Sequence, residues 1–213
     1  ARAQTSTPTA SPADLWLWGD PMEGYDAPVK EAWAVEGLHH IASPKSFAPA
    51  NVRWALLRCA FPGSPVYPRT AEQTLRVFTK PEVGLLAYFN RQSQGRTQMS
   101  VAWLQEVTLP RSRDGYWGQS TSTSAFIAQA TNDCLRLVAA QRPLDDITGL
   151  AVYFNDNVDC CAYGSPYTMT LPNGDTRRVP ALWLPPAAHT QPLVIAHELA
   201  HGLAVPHSNN ADL

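Results

Sequence analysis

The segment "AHELAHGLAVPHS" at residues 196–208 constrains the fold of this chain more than any other feature. It contains three of the six histidines, and His201 follows His197 by four residues. Residues four apart lie on the same face of a helix, so a helix over 191–204 would present both imidazoles to one ion. Glu198 lies one step further round that helix, close enough to hold a water molecule bound to the same ion.

The residue types in this segment favour a catalytic zinc site. Such sites use three protein ligands and keep one position open for water or substrate. Bound zinc lowers the pKa of its water to about 7, and a nearby glutamate takes the proton and later passes it to a leaving amine. An HExxH sequence on a helix combines these parts. The candidate metal ligands on this helix are therefore His197 and His201, with Glu198 as the candidate general base.

The full spacing, H-E-x-x-H-x-x-A-x-x-H, resembles the long zinc motif of the metzincin metallopeptidases. In that family the chain turns sharply at a glycine after the helix, which brings the third histidine to the metal. The resemblance implies that His207 is the third zinc ligand here. This sequence has Ala204 at the glycine position. Either Ala204 adopts a left-handed conformation, at a cost of about 1–2 kcal/mol, or the turn is built differently, with Gly202.

The resemblance extends loosely over residues 51–208, to secreted metallopeptidases of the gametolysin-like type. It rests on "LLAYFNRQSQGRTQMSVAW", in which the matching residues are Tyr88, Phe89, Ser93, Gly95 and Trp103. It implies an α/β (α+β) fold, the metzincin upper subdomain, with a twisted mixed sheet, a long backing helix and a zinc-binding helix. It also implies an edge strand that binds extended substrate. Our candidate is 165–171, with an ordinary surface hairpin as the alternative.

Apolar periodicity and turn residues predict alternating strands and helices, which favours a layered sheet. Strands are predicted at 51–61, 97–109 (a strand or hairpin), 147–156, 165–171 and 177–186. Helices are predicted at 68–78, 81–95, 120–141 and 191–204, with Thr70 and Thr190 as N-caps of the first and last.

The N-terminal part has a different composition. Residues 1–50 are predicted to be a flexible tail and extension, and 51–213 a metzincin-like catalytic domain. The stretch "LWLWGDP" resembles the F-x-G-D segment of astacin propeptides, whose Asp occupies the open zinc position. Asp20 as such a switch ligand is a hypothesis. The alternative is a strand or loop that docks two tryptophans on the core.

Metzincins carry a methionine turn below the zinc, but no methionine follows His207 here. We expect the lower subdomain, which shapes much of the specificity pocket in that family, to be missing as well. We expect a fragment that ends just before that subdomain, and a natural short form with another floor for the site is the alternative. In either case this chain alone could be inactive.

The cysteine count favours an oxidising compartment. There are four cysteines, an even number, which suits a secreted or extracellular protein. Cys160 and Cys161 are adjacent, and adjacent cysteines rarely bond to each other. We therefore expect Cys59 and Cys134 each to pair with one of them, and a buried thiol at Cys59 is the alternative.

Charge and hydropathy restrict the partners. The net charge is −2 with no basic run, which disfavours nucleic acid and anionic membrane surfaces. No apolar stretch approaches about 18 residues, so no membrane span is expected. The Asn/Asp-rich loop at 155–159 could bind calcium or be an ordinary turn.

Together these features predict a monomeric, secreted zinc endopeptidase that acts on protein or peptide substrates. A zinc amidase acting on cell-wall material and a zinc-stabilised binding domain without activity are the alternatives. Retention of Glu198 argues against the second alternative, because metal binding alone does not need it.

Overall fold

The computed structural model describes residues 51–159 and 161–205. Three predictions concern residues outside this range. They are the N-terminal extension with Asp20, the pairing of Cys160, and His207 as the third histidine of the motif. Among the helices that are described, none is both long enough and apolar enough to cross a membrane.

In the part of the chain that the structure describes, five strands form one mixed sheet. They are β1 (Asn51–Ala60), β2 (Gln98–Thr108), β3 (Gly149–Phe154), β4 (Tyr163–Thr170) and β5 (Thr176–Leu184). Their order across the sheet is β2-β1-β3-β5-β4. All neighbours are parallel except β4, which runs antiparallel to β5 at the edge. The mixed α/β class is as predicted, and the candidate edge segment 165–171 falls largely on β4.

The central strands are apolar because both of their faces are covered. Every residue of β3 is buried, and β1 and β5 each contain a continuous buried run. Parallel strands covered on both faces read as unbroken apolar stretches. The segment predicted as a strand or hairpin at 97–109 is a single strand, β2, which pairs with β1 along its length.

Within the described residues, five α-helices accompany the sheet. They are α1 (Ala71–Thr79), α2 (Leu85–Gln92), α3 (Arg113–Trp117), α4 (Thr123–Ala139) and α5 (Pro192–Gly202). Thr70 caps α1 as predicted, since its hydroxyl accepts from the Gln73 N–H at 3.2 Å. Thr190 does not cap α5: it ends a 3₁₀ turn, and Gln191 occupies the N-cap without a side-chain hydrogen bond. The short α3 was not predicted.

The helices lie on both faces of the sheet. Tyr163 of β4 packs against the apolar cluster that contains α4. Its neighbour Gly164 instead faces the backbone of α5 at Glu198. Successive residues of a strand point to opposite faces, so α4 and α5 cover opposite faces of the same edge of the sheet.

A disulfide joins Cys59 of β1 to Cys134 of α4, with their Cα atoms 5.8 Å apart. The expected pairing of each with one of the adjacent cysteines is therefore wrong, and so is the buried thiol at Cys59. Both residues are fully buried, and none of the described cysteines is a free thiol. The strain between adjacent cysteines does not reveal which secondary-structure elements meet in the core. The pairing is instead decided by α4 crossing β1 in the core.

Candidate metal centre

The two histidines of the HExxH sequence converge on α5. Their Nε2 atoms lie 3.0 Å apart, with ring centroids at 4.4 Å and ring planes at 88°. Two nitrogens bound to one tetrahedral zinc at about 2.0–2.1 Å are about 3.3 Å from each other. The four-residue spacing of His197 and His201 therefore brings both Nε2 atoms within reach of a single ion.

The orientation of His201 is set by a backbone carbonyl. Its Nδ1 lies 2.7 Å from the Val205 oxygen. A carbonyl oxygen only accepts, so the neutral ring carries its proton on Nδ1 and has its lone pair on Nε2, on the side of His197. Metal-binding histidines usually donate from the second ring nitrogen to such an acceptor. This arrangement fits a metal ligand that coordinates through Nε2.

Of the two turns considered after α5, the structure has the one in which Ala204 adopts a left-handed backbone conformation. Ala204 has φ +64°. The Ala204 N–H donates to the His201 oxygen at 2.8 Å, and the Val205 N–H donates to the Ala200 oxygen at 3.0 Å. These two bonds form a Schellman motif, in which the left-handed residue is usually glycine. The same turn that ends the helix also places the Val205 carbonyl against the His201 ring.

Two glycines allow α5 to lie directly on the sheet. A Cβ on Gly164 would be 1.8 Å from the Glu198 backbone oxygen, and one on Gly202 would be 2.9 Å from the Ala181 oxygen. Gly202 therefore serves packing rather than the turn. A glycine inside a strand often marks the close approach of another backbone. Gly164, one position before the predicted strand at 165–171, is the sequence signal for this close approach.

A cavity of about 450 Å³ opens beside the histidines. It is lined by His197, Glu198 and His201 from α5, by residues 162–165 at the start of β4, and by residues 204–205 of the turn. His197 is exposed, whereas Glu198 and His201 are half-buried. Glu198 thus shares one solvent-open cleft with both imidazoles, as a general base at this site requires.

Tyr163 also lines this cleft. No motif or spacing in the sequence links it to the histidines, so its place at the site was not predicted. Its hydroxyl lies 3.3 Å from Oδ2 of Asp159. Burial, followed by the negative charge of Asp159, raises the pKa of the Tyr163 phenol, and the charge of Glu198 adds to this. The hydroxyl is therefore a protonated hydrogen-bond donor at neutral pH.

The described part of the chain supplies two of the three predicted metal ligands. Within it, no three His, Cys, Asp or Glu side chains lie close enough together to hold a metal ion. His189, which precedes α5, is buried with its Nε2 2.9 Å from the Leu184 oxygen, away from the cleft. His197 and His201 fit two positions of a zinc site, and His207 as the third remains a prediction.

The loop at 155–159 uses its polar side chains within the protein. Asn155 is buried, and its Oδ1 accepts from the Phe61 N–H at 2.7 Å. Asp156 accepts from the Ser64 hydroxyl, also at 2.7 Å. These contacts tie the loop to residues 61–64, just after β1, as in an ordinary turn, and give no support to the calcium alternative.

No protein-family model matches the chain, and the search of curated proteins returned no match. The resemblance to metzincins therefore depends on the motif at 197–207 and on the looser likeness over residues 51–208.

Proposed function

We propose that this chain is a zinc-dependent endopeptidase of the metzincin type, secreted and acting on extended peptide substrates. The observation that carries the proposal is the convergence of the His197 and His201 Nε2 atoms at 3.0 Å. Two further observations support it. The Val205 carbonyl holds His201 in the ligand tautomer, and Glu198 lines the same cleft.

His197, His201 and His207 would hold the zinc ion. When bound, zinc polarises the scissile carbonyl and makes water acidic enough to act as a nucleophile near neutral pH. Glu198 would accept a proton from the attacking water on its carboxylate and would transfer it to the nitrogen of the leaving amine. Because Glu198 is only half-buried, its carboxylate remains in contact with water in the open cleft.

The edge strand β4 is the proposed substrate platform. Within the described residues β4 pairs only with β5, so its other edge can accept an added strand. The contact of Gly164 with the Glu198 backbone brings this edge directly beside the catalytic helix. An extended peptide on β4 therefore passes along the cleft that contains the histidines.

The test measures bound zinc and peptide cleavage in four variants. Wild type is expected to bind one zinc per chain, and His201→Ala and His207→Ala are expected to lose it. Glu198→Gln should keep zinc but cleave a casein or peptide-mixture substrate about 10²–10⁴-fold more slowly. His39→Ala, outside the motif, is the matched control and should resemble wild type.

Three results would contradict the proposal. Undiminished zinc in His207→Ala would mean that the third ligand is elsewhere and would reopen the family assignment. A second result is a zinc-loaded wild type that cleaves neither proteins nor peptides. If Glu198→Gln also behaves like this wild type in every assay, a non-catalytic binding domain is favoured. Release of amines from cell-wall fragments, without peptide-mixture cleavage, would favour the amidase.

A further inference from the structure

A second cavity, of about 270 Å³, lies on the other side of the edge strand, between β4 and α4. It shares residues 163–165 of β4 with the cleft at the histidines. Because α4 and α5 cover opposite faces of the sheet, the two cavities flank the same stretch of the open edge from opposite faces. We call this second cavity the α4 pocket.

Two tyrosines with a small residue between them form one wall of the α4 pocket. Tyr163, Ser165 and Tyr167 alternate along β4 and so share one face. The Tyr167 hydroxyl donates to Oδ1 of Asn132 at 2.6 Å, and the Tyr163 hydroxyl contacts Asp159. Both rings are therefore tied at their outer ends, and the short Ser165 side chain leaves the gap between them open.

The rest of the α4 pocket is mainly apolar. Trp183 is almost fully buried, packs against the Tyr167 ring at 5.7 Å, and donates from Nε1 to the Thr131 hydroxyl at 2.9 Å. Ile127 and Ala128 of α4 complete the lining, and none of the described residues that line the pocket is charged. An apolar cavity of about 150 Å³ can hold benzene. This pocket has room for one aromatic or branched aliphatic side chain.

The hydrogen-bond pattern of β4 shows how a peptide would lie on it. Pro166 faces Pro180 of β5, and neither has an N–H, so they cannot form a hydrogen-bonded pair. By alternation, Gly164 and Thr168 also turn their backbone groups toward the open edge. A peptide residue opposite Ser165 would direct its side chain to the face of α4.

We propose that the α4 pocket receives one apolar side chain of the peptide substrate, within about two residues of the cleaved bond. This inference rests on the proposed function, because it assumes that a peptide on β4 is cut at the histidines. The closeness follows from residues 163–165, which line both cavities. A charged side chain at that position is disfavoured, since the pocket offers it no partner of opposite charge.

The test compares two alanines of α4. Both Ala125 and Ala128 are half-buried, but only Ala128 lines the α4 pocket. Cleavage of a peptide library, randomised one position at a time, is measured for wild type, Ala128→Leu and Ala125→Leu. Wild type should prefer Leu or Phe over Asp about tenfold or more at one position near the cleaved bond. Ala128→Leu should shift that single position toward Ala or Gly, and Ala125→Leu should leave it unchanged.

Each outcome bears on the proposal separately from the proposed function. Cleavage with an apolar preference that Ala128→Leu does not alter, or with no such preference, overturns the pocket assignment and leaves the endopeptidase standing. If wild type cleaves nothing, binding of fluorescent Leu-containing and Asp-containing peptides is measured by anisotropy. If wild type binds the Leu peptides more tightly than the Asp peptides and Ala128→Leu loses this preference, the pocket is supported even without cleavage. If wild type binds both peptides equally, or binds neither, the pocket assignment is overturned.

Discussion

Replacement of Ala204 by glycine tests whether the turn behind the candidate metal site is strained. Ala204 is exposed and has φ +64°, so its side chain contributes little packing while its backbone occupies the left-handed region. Glycine relieves about 1–2 kcal/mol of that strain. It also loses about 0.4–1 kcal/mol because the unfolded chain becomes more flexible. We expect Ala204→Gly to raise the free energy of unfolding by about 0.5–1 kcal/mol.

The chain contains a matched position far from the histidines. Gln94 follows α2 with φ +53°, and its N–H donates to the Arg91 oxygen at 2.9 Å. The next N–H, of Gly95, donates to the Asn90 oxygen at 3.1 Å. The turn after α2 therefore has the same pair of hydrogen bonds as the turn after α5. Gln94 is also exposed. Gln94→Gly should therefore stabilise the protein by a similar amount.

The assay is urea unfolding followed by circular dichroism, at equal zinc content, with thermal unfolding as a second measurement. A gain of 1 kcal/mol corresponds to a rise in Tm of about 2–4 °C for a domain of this size. Ala200→Gly is the opposite control, since Ala200 lies inside α5, where glycine should cost about 1 kcal/mol. Destabilisation by both Ala204→Gly and Gln94→Gly would refute the strain argument. Destabilisation by Ala204→Gly alone would refute the turn at α5.

Three further predictions concern packing, pH and the disulfide. Gly164→Ala should destabilise the fold by about 1–3 kcal/mol or more and weaken zinc binding, because its Cβ would overlap the Glu198 backbone; unchanged zinc affinity and stability would contradict this contact. Burial lowers the pKa of His189 to about 4. The unfolded pKa is about 6.5, so up to about 3 kcal/mol of stability is lost as pH falls from about 6.5 to about 4; urea titrations should show this loss in wild type and not in His189→Phe. Reduction of the Cys59–Cys134 disulfide, which spans 75 residues, should lower the free energy of unfolding by about 2–4 kcal/mol; equal urea midpoints with and without reductant would show that this bond does not constrain the unfolded chain.

The part of the candidate site that lies on α5 could be predicted from the sequence, because helical spacing is a local property. The repeat of 3.6 residues per turn is enough to put His197 and His201 on one face with Glu198 beside them. The contribution of Tyr163 and Gly164 could not be read in the same way. Both residues precede the histidines by about 35 positions in the chain. They reach the site only because β4 lies at the edge of the sheet against α5.

By itself, the sequence determined the strands, most of the helices and the spacing of the histidines, since each depends on a pattern of neighbouring residues. It left the turn at Ala204 open between two geometries, and it pointed to the wrong partner for Cys59. The tertiary structure decided both. Disulfide pairing depends on which elements cross in the core, and α4 crosses β1 so that Cys134 meets Cys59. The left-handed turn follows from Gly202 being needed against β5, which leaves Ala204 to reverse the chain.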